Sequence, residues 1–240
     1  MAPSINPGMK TIGLVGGMSW ESSALYYRLA NEIVRDRLGG LHSAHCVLYS
    51  VDFAGIAAMQ RAGSWDAAAA ELAEAARGLE SAGADMVLLC TNTMHKVAEQ
   101  VQASLTVPLL HIADTTAAAV ATAGLRRVGL LGTAFTMEQS FYRDRLATRG
   151  LEVVVPGPED RALVHRVIYD ELCLGTVSDE SRAEYQAVIG RLVDDGAEGV
   201  LLACTEIELL ITADDSPVPV FPTTQLHVVA AVDLALADGG

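Results

Sequence analysis

Gly83-Ala84-Asp85-Met86-Val87-Leu88-Leu89-Cys90-Thr91 returns later in the chain as Gly196-Ala197-Glu198-Gly199-Val200-Leu201-Leu202-Ala203-Cys204-Thr205. Each copy is an apolar run entered through Gly-Ala and an acid and left through Cys-Thr. Short runs without polar alternation are the pattern of strands covered on both faces. Two more segments repeat in the same order. Lys10-Thr11-Ile12-Gly13-Leu14-Val15-Gly16 matches Arg126-Arg127-Val128-Gly129-Leu130-Leu131-Gly132, and Val107-Pro108 matches Val218-Pro219. Gly13 lies 77 residues before Cys90, and Gly129 lies 75 before Cys204. Three matches in one order at similar spacing imply two similar halves.

The rest of the chain fits that frame. β-branched runs predict strands over 11–15, 46–50, 85–90, 109–112, 127–131, 151–155, 199–204 and 218–221. Ala-, Leu-, Glu- and Arg-rich runs between them predict helices over 21–37, 65–81, 93–104, 115–123, 137–148, 159–174, 179–194 and 224–237. Strands alternating with helices of this length give α/β architecture with parallel sheets. The first half is placed at 10–112 and the second at 126–222. The C-terminal helix, 224–237, is read as crossing back onto the first half, and residues 1–8 as a loose tail. Ser64 and Ser178 stand where helix N-caps belong, and Gly83 and Gly196 where helices end.

Composition narrows the function. Among 240 residues, 51 % are hydrophobic and 19 % charged, so the chain can build a sizeable core. Sixteen bases against 30 acids give a formal charge of −14, which argues against nucleic acid as a partner. No apolar run approaches the roughly 20 residues of a membrane helix, and no signal-peptide stretch precedes the first strand. The reading is a cytoplasmic protein with no membrane partner. Four cysteines do not make a disulfide scaffold.

Cys90 and Cys204 each close a strand, and in open α/β sheets ligands bind beyond the carboxyl ends of the strands. A helix start follows each, whose partial positive charge is expected to lower the thiol pKa. If the halves face each other about a pseudo-two-fold axis, the two thiols approach one cleft from opposite sides. A thiolate on one side of a carbon and a thiol on the other can remove a proton and return one to the far face, inverting the centre in either direction. Two packed, inert cysteines are the alternative. Cys46 and Cys173 have no repeat partner and are assigned to packing.

Gly13–Tyr27 (GLVGGMSWESSALYY), Leu88–Lys96 (LLCTNTMHK) and Leu201–Ile211 (LLACTEIELLI) together resemble the aspartate/glutamate racemase family. The resemblance spans about 10–235. It implies two Rossmann-like halves, an active site at their interface, one catalytic cysteine per half, no cofactor, an amino-acid substrate and a homodimer. Cys90 and Cys204 match the family's cysteines. The CTNTMHK segment resembles the broad-specificity branch.

Several residues are expected to hold the substrate. Gly17 and Met18 lie in the turn after the first strand, where exposed N–H groups suit a carboxylate. Thr91, Asn92 and Thr93 offer hydroxyl, amide and backbone donors that ease the build-up of negative charge on an enolate. Thr133 and Thr205 are their counterparts in the second half, with helix capping the alternative for Thr93 and Thr205. Glu206 suits a substrate ammonium or a solvated helix start. His95, five residues after Cys90, is read either as an exposed helix residue or as a neighbour of the thiol. The remaining histidines have no metal-ligand spacing, so no metal site is expected. The only lysines, Lys10 and Lys96, argue against a pyridoxal phosphate route.

The resemblance implies basic side chains for a distal carboxylate after the second strand and on a helix of the second half. Residues 50–56 have Arg61 as their nearest base, and residues 165–172 contain no lysine. The sequence therefore favours neutral or basic substrates over aspartate. Hydantoin racemase, maleate isomerase, a decarboxylase, or a non-catalytic ligand-binding relative remain alternative readings.

Overall fold

A computed structural model describes residues 8–237, so the tail expected at 1–8 lies, but for Gly8, outside the described residues. The chain divides into two compact units. Among the described residues the first groups 8–90, 97–110 and 227–237, and the second 91–96 and 111–226.

The first unit contains β1 (Ile12–Gly16), α1 (Trp20–Leu38), β2 (Cys46–Ser50), α2 (Phe53–Ala62), α3 (Trp65–Ser81), β3 (Met86–Leu89), α4 (Ala98–Gln102) and β4 (Leu109–Leu110). The second contains α5 (Ile112–Thr122), β5 (Arg127–Gly132), α6 (Ala134–Glu138), α7 (Ser140–Ala147), β6 (Glu152–Val154), α8 (Pro158–Asp170), α9 (Asp179–Asp194), β7 (Gly199–Ala203), α10 (Ile207–Leu210) and β8 (Val220–Pro222). The last helix, α11 (Thr223–Leu236), starts in the second unit and joins the first from residue 227 onward.

Among the described residues there are two four-stranded parallel sheets. Their orders are β2-β1-β3-β4 and β6-β5-β7-β8. One strand order occurs twice, and the repeated sequence segments form the two central strands of each sheet. The register repeats as well, with Gly13 opposite Val87 and Gly129 opposite Val200. The α/β class and the two like-built parallel sheets read from the sequence are therefore what the chain forms.

Each sheet is covered on both faces, which is why its strands are apolar throughout. In the first unit Ile12, Leu14, Met86, Leu88 and Cys90 pack with Tyr26, Ala30 and Val34 of α1 and Val228, Ala231, Val232 and Ala235 of α11. In the second, Val200, Leu202 and Cys204 pack with Val164, Ile168, Tyr185 and Ile189 of α8 and α9. The opposite face, Val128, Leu130, Leu201 and Ala203, meets α5 and α7.

The two cysteines are not equivalent in the repeat. Cys90 stands three residues after Val87, and Cys204 four after the matching Val200, because Ala203 is one residue extra. Side chains alternate along a strand, so one added residue moves the next side chain to the other face. Cys90 accordingly packs toward the helix that follows the first strand of its unit, and Cys204 toward the helices that precede its own strand.

Several local expectations change. The helix expected over 93–104 is a 3₁₀ turn, Thr93–Val97, followed by the short α4. The one expected over 137–148 is broken at Gln139, whose ψ of 151° is extended, into α6 and α7. The helix expected over 159–174 ends at Asp170, and Gly175 takes the left-handed conformation just beyond. Ser178 caps α9 by accepting from the Ser181 N–H, whereas Ser64 makes no side-chain cap. The α2 helix was not expected. Its signals are local: Asp52 accepts the Ala54 N–H, and Gly63 ends the helix at φ 70°. Among the described residues no helix is long and apolar enough to cross a membrane.

Candidate active site

In the first unit the candidate residues Gly17, Met18 and Cys90 are positioned by the turn between β1 and α1. Gly17 has φ +88°, and a Cβ there would lie 2.6 Å from the Val51 backbone nitrogen, so only glycine fits. The Gly17 N–H donates to Ser23 Oγ at 2.7 Å, and Ser19 caps α1 by accepting from the Ser22 N–H. Ser22 Oγ in turn donates to the Cys90 carbonyl at 2.9 Å, and the Cys90 N–H donates to Val15 O. Cys90 is thus fixed through its backbone by α1 and β1. Met18 is buried in the same turn.

Cys90 is fully buried, and Ser22, which holds its carbonyl, was not singled out in the sequence. Burial pushes its thiol well above the ordinary cysteine range, with the Cys46 thiol adding to the rise. Burial likewise pushes Cys46 up to about 11. The expectation of lowered thiol pKa values is therefore overturned. A helix terminus contributes a partial charge, whereas loss of hydration penalises the whole thiolate.

The segment after Cys90 belongs to the second unit. Asn92 donates from Nδ2 to Thr223 Oγ1 at 3.0 Å and accepts from the Tyr142 hydroxyl at Oδ1, also at 3.0 Å. Thr223 passes its own hydrogen to Leu202 O at 2.9 Å. The Asn92 side chain therefore ties three elements together. Tyr142 and Thr223 were not expected as partners of Asn92, from which they lie 50 and 131 residues away.

Thr93, Thr133 and Thr136 bring three hydroxyls together. Thr93 Oγ1 is 3.1 Å from that of Thr133 and 3.4 Å from that of Thr136. Thr133 also caps α6, so capping and clustering coexist. The Thr91 carbonyl accepts from His95 Nδ1 at 2.7 Å, while His95 Nε2 accepts the Ile112 N–H at 3.1 Å. Both ring nitrogens are engaged with backbone, which fixes the neutral Nδ1–H tautomer. His95 is buried rather than exposed, and it anchors the segment that carries Asn92 and Thr93. Lys96 donates to Gln139 Oε1.

Around Cys204 the arrangement differs. Its Sγ donates to Glu206 Oε2 at 3.0 Å, and Thr205 Oγ1 donates to the same oxygen at 2.7 Å. Cys204 is 8 % exposed and Glu206 6 %. Burial raises the thiol well above its ordinary value, and the Glu206 carboxylate raises it further. Glu208 accepts the Thr224 N–H at 3.0 Å. Burial lifts its carboxyl to about 7 against that bond, with Glu206 adding to the rise. Among the described residues no three His, Cys, Asp or Glu side chains are grouped to hold a metal ion.

The geometry stands beside close relatives. The model of the Asp/Glu/hydantoin racemase family matches residues 15–231. The crystal structure of a candidate Asp/Glu racemase from Yersinia pestis is 52 % identical, with a TM-score of 0.90 over 95 % of this chain and 100 % of that one. An aspartate racemase homologue from Pyrococcus horikoshii is 35 % identical, with a TM-score of 0.84 over 95 % of this chain and 99 % of its own. A broad-specificity amino-acid racemase from Bacillus subtilis is 25 % identical over 162 residues, 66 % of this chain and 68 % of that protein. The chain belongs to the Asp/Glu/hydantoin racemase family.

Proposed function

We propose that this protein is a cofactor-independent amino-acid racemase in which Cys90 and Cys204 act as a pair of acid–base groups. What supports the reading most is the recurrence of one buried cysteine just past the same central strand in each of the two like-built units. In the proposed reaction one sulfur, as thiolate, takes the Cα proton. The electron pair left on carbon spreads into the substrate carboxylate, and the other thiol delivers its proton to the opposite face. The first sulfur ends as a thiol and the second as a thiolate, so a turnover in the reverse direction starts from the product state.

The barrier lies in placing a second negative charge on an anionic carboxylate. Donors around that carboxylate lower it. The proposal gives this task to the hydroxyls of Thr93 and Thr133, the Thr91 and Thr205 segments, and the turn at Gly17 and Met18. Asn92 holds Thr93 in place through Tyr142 and Thr223. Thr205 spends its hydroxyl on Glu206, which leaves its backbone for the substrate.

The proposed substrates carry neutral or basic side chains. Arg166 gives its guanidinium to Glu171 at 3.0 Å and Glu184 at 3.4 Å. Lys96 gives its ammonium to Gln139. Cys204 packs in an apolar cluster and its Sγ meets one carboxylate, that of Glu206. We place the enzyme in the cytoplasm as a homodimer.

Incubating the protein with each common L-amino acid in deuterated water, without cofactor, tests the reading. Loss of the Cα proton signal and appearance of D-product from at least one neutral or basic amino acid is expected. Absence of exchange and of D-product across the panel contradicts it.

A further inference from the structure

We propose that His227 and Tyr26 are positioning residues for Cys90, forming a buried clamp through which the C-terminal helix α11 sets where the first unit's sulfur stands. The inference rests on the racemase reading for its consequence in turnover. The clamp itself can be tested without any substrate.

The clamp joins three elements of the first unit. His227 is the residue at which α11 enters that unit. Its Nδ1 lies 3.0 Å from the Tyr26 hydroxyl of α1, and its Nε2 lies 3.0 Å from the Leu110 carbonyl of β4. A carbonyl has no hydrogen to give, so in the neutral ring Nε2 carries the hydrogen and Nδ1 is left as an acceptor. Tyr26 therefore donates to it. The two rings meet edge to face with centroids 5.8 Å apart, and both side chains are fully buried.

Tyr26 lies four residues beyond Ser22, so the two side chains share one face of α1, about 6 Å apart along its axis. Ser22 Oγ donates to the Cys90 carbonyl at 2.9 Å. Ser23, the next residue, accepts the Gly17 N–H and donates to Ser19 O. The cysteine and the turn at Gly17 thus both hang on the first turn of α1, and His227 fixes the second. A hydrogen-bonded helix moves as one body over a single turn, so a displacement at Tyr26 passes to Ser22 and from there to Cys90.

The other contacts that seat α1 here are aliphatic. Ala30 and Val34 of α1 pack with Ile12, Leu14, Met86 and Leu88 of the sheet and with Val228, Ala231, Val232 and Ala235 of α11. Apolar burial is favourable but has no direction, whereas a hydrogen bond fixes both distance and angle. Stability alone would be served as well by apolar side chains of similar shape in place of the pair. A satisfied polar network inside an apolar cluster selects one arrangement among those that burial permits.

Cys204 is held by other means. Its carbonyl accepts the Ile207 N–H, and both residues belong to the second unit. The clamp therefore acts on one of the two sulfurs, and its loss should harm one face of the substrate.

The test is chloride elimination from D- and L-β-chloroalanine, given separately to full-length wild type and Tyr26→Phe, because elimination needs a single proton abstraction. The Cys204→Ser variant, which keeps Cys90, identifies the enantiomer that Cys90 serves. With that enantiomer Tyr26→Phe should lose about tenfold or more in kcat, with KM within about threefold of wild type. With the other enantiomer kcat should stay within about twofold. A merely structural defect lowers the amount of folded protein and so lowers both rates alike. Equal losses for the two enantiomers therefore overturn the proposal, and so does a kcat within about twofold of wild type for the Cys90 enantiomer. Should Tyr26→Phe fail to fold, His227→Gln, which keeps a donor for Leu110 but removes the ring acceptor, is read in the same way. If wild type eliminates chloride from neither enantiomer, the racemase reading is what fails, and amide hydrogen exchange decides the clamp. Exchange in the peptide carrying Cys90 at least about tenfold faster in Tyr26→Phe than in wild type, with the Cys204 peptide unchanged, upholds it. Unchanged exchange in the Cys90 peptide overturns it.

Discussion

The backbone N–H of Ile112 donates to Nε2 of His95 across 3.1 Å, while Nδ1 of the same ring donates to the Thr91 carbonyl at 2.7 Å. One buried imidazole thus closes the segment after Cys90 onto the start of α5. Replacing it with alanine leaves a donor and an acceptor unpaired in the interior. His95→Ala should cost about 2–6 kcal/mol, since each of the two orphaned groups costs roughly 1–3. Urea unfolding measures it. A variant within about 0.5 kcal/mol of wild type would show that water replaces the ring without loss.

Gly17 stands where the chain must pass close to Val51. Gly17→Ala introduces a Cβ against Val51 backbone atoms that cannot swing aside, at a φ of +88° that alanine resists. The expected loss is at least about 2 kcal/mol, with racemisation falling further than stability because the turn before α1 shifts. Thermal unfolding alongside turnover checks both. Gly39→Ala, at φ +74° but with nothing within 4 Å, should be milder.

Asp114 on α5 is gripped by Arg145 of α7 and Arg149 of the turn that follows it, through four hydrogen bonds of 2.7 to 3.2 Å. Burial works to raise its carboxyl, but the two arginines outweigh it and hold it at about 2. A carboxyl lowered in the fold adds stability above its unfolded value, near 3.9, and loses it as pH falls toward 2. Asp114→Asn should therefore cost about 1–2 kcal/mol at pH 7, discounted for partial exposure. The difference from wild type should shrink between pH 4 and 2. A pH-independent difference in urea midpoints would assign the cost to packing.

Glu208 has the opposite sign. Its carboxyl is raised to about 7, so the folded chain binds its proton more tightly than the unfolded chain does. The stability it confers is complete below its unfolded value, near 4.3, and is lost as pH rises through about 7. Glu208→Gln keeps an oxygen for the Thr224 N–H and carries no charge. It should raise stability by about 1–3 kcal/mol at pH 8 and leave pH 4 stability nearly unchanged. Unfolding at the two pH values checks this, and a loss at pH 8 would contradict it.

Much of this architecture can be read from local pattern. The doubled Gly-Ala-acid to Cys-Thr run locates both central strands, because strands buried on two faces must be apolar without a break. The Ser178 cap is equally legible, since it is satisfied three residues away. What could not be read depends on distant partners. The interruption of the 93–104 helix goes with His95, whose ring bonds a carbonyl four residues back and an amide 17 residues ahead. Tyr142 reaches Asn92 only through folding. The lowered thiol pKa values failed because the sequence displays helix starts but not depth. The offset from Ala203 was present in the sequence as one extra residue, and it becomes meaningful once the register shows the strands to be equivalent.

The central claim is that two sulfurs serve the two faces of one carbon. The most direct measurement uses β-chloroalanine, which loses HCl after a single proton abstraction and needs no second acid. D- and L-forms are given separately to Cys90→Ser and Cys204→Ser. Both variants should lose about 10²–10⁴-fold in racemisation of the best natural substrate, in both directions equally, because the enantiomers have equal free energy. Each should still eliminate chloride from one enantiomer, and the two variants should choose opposite ones. Elimination from the same enantiomer by both, or wild-type racemisation by either, would contradict the account.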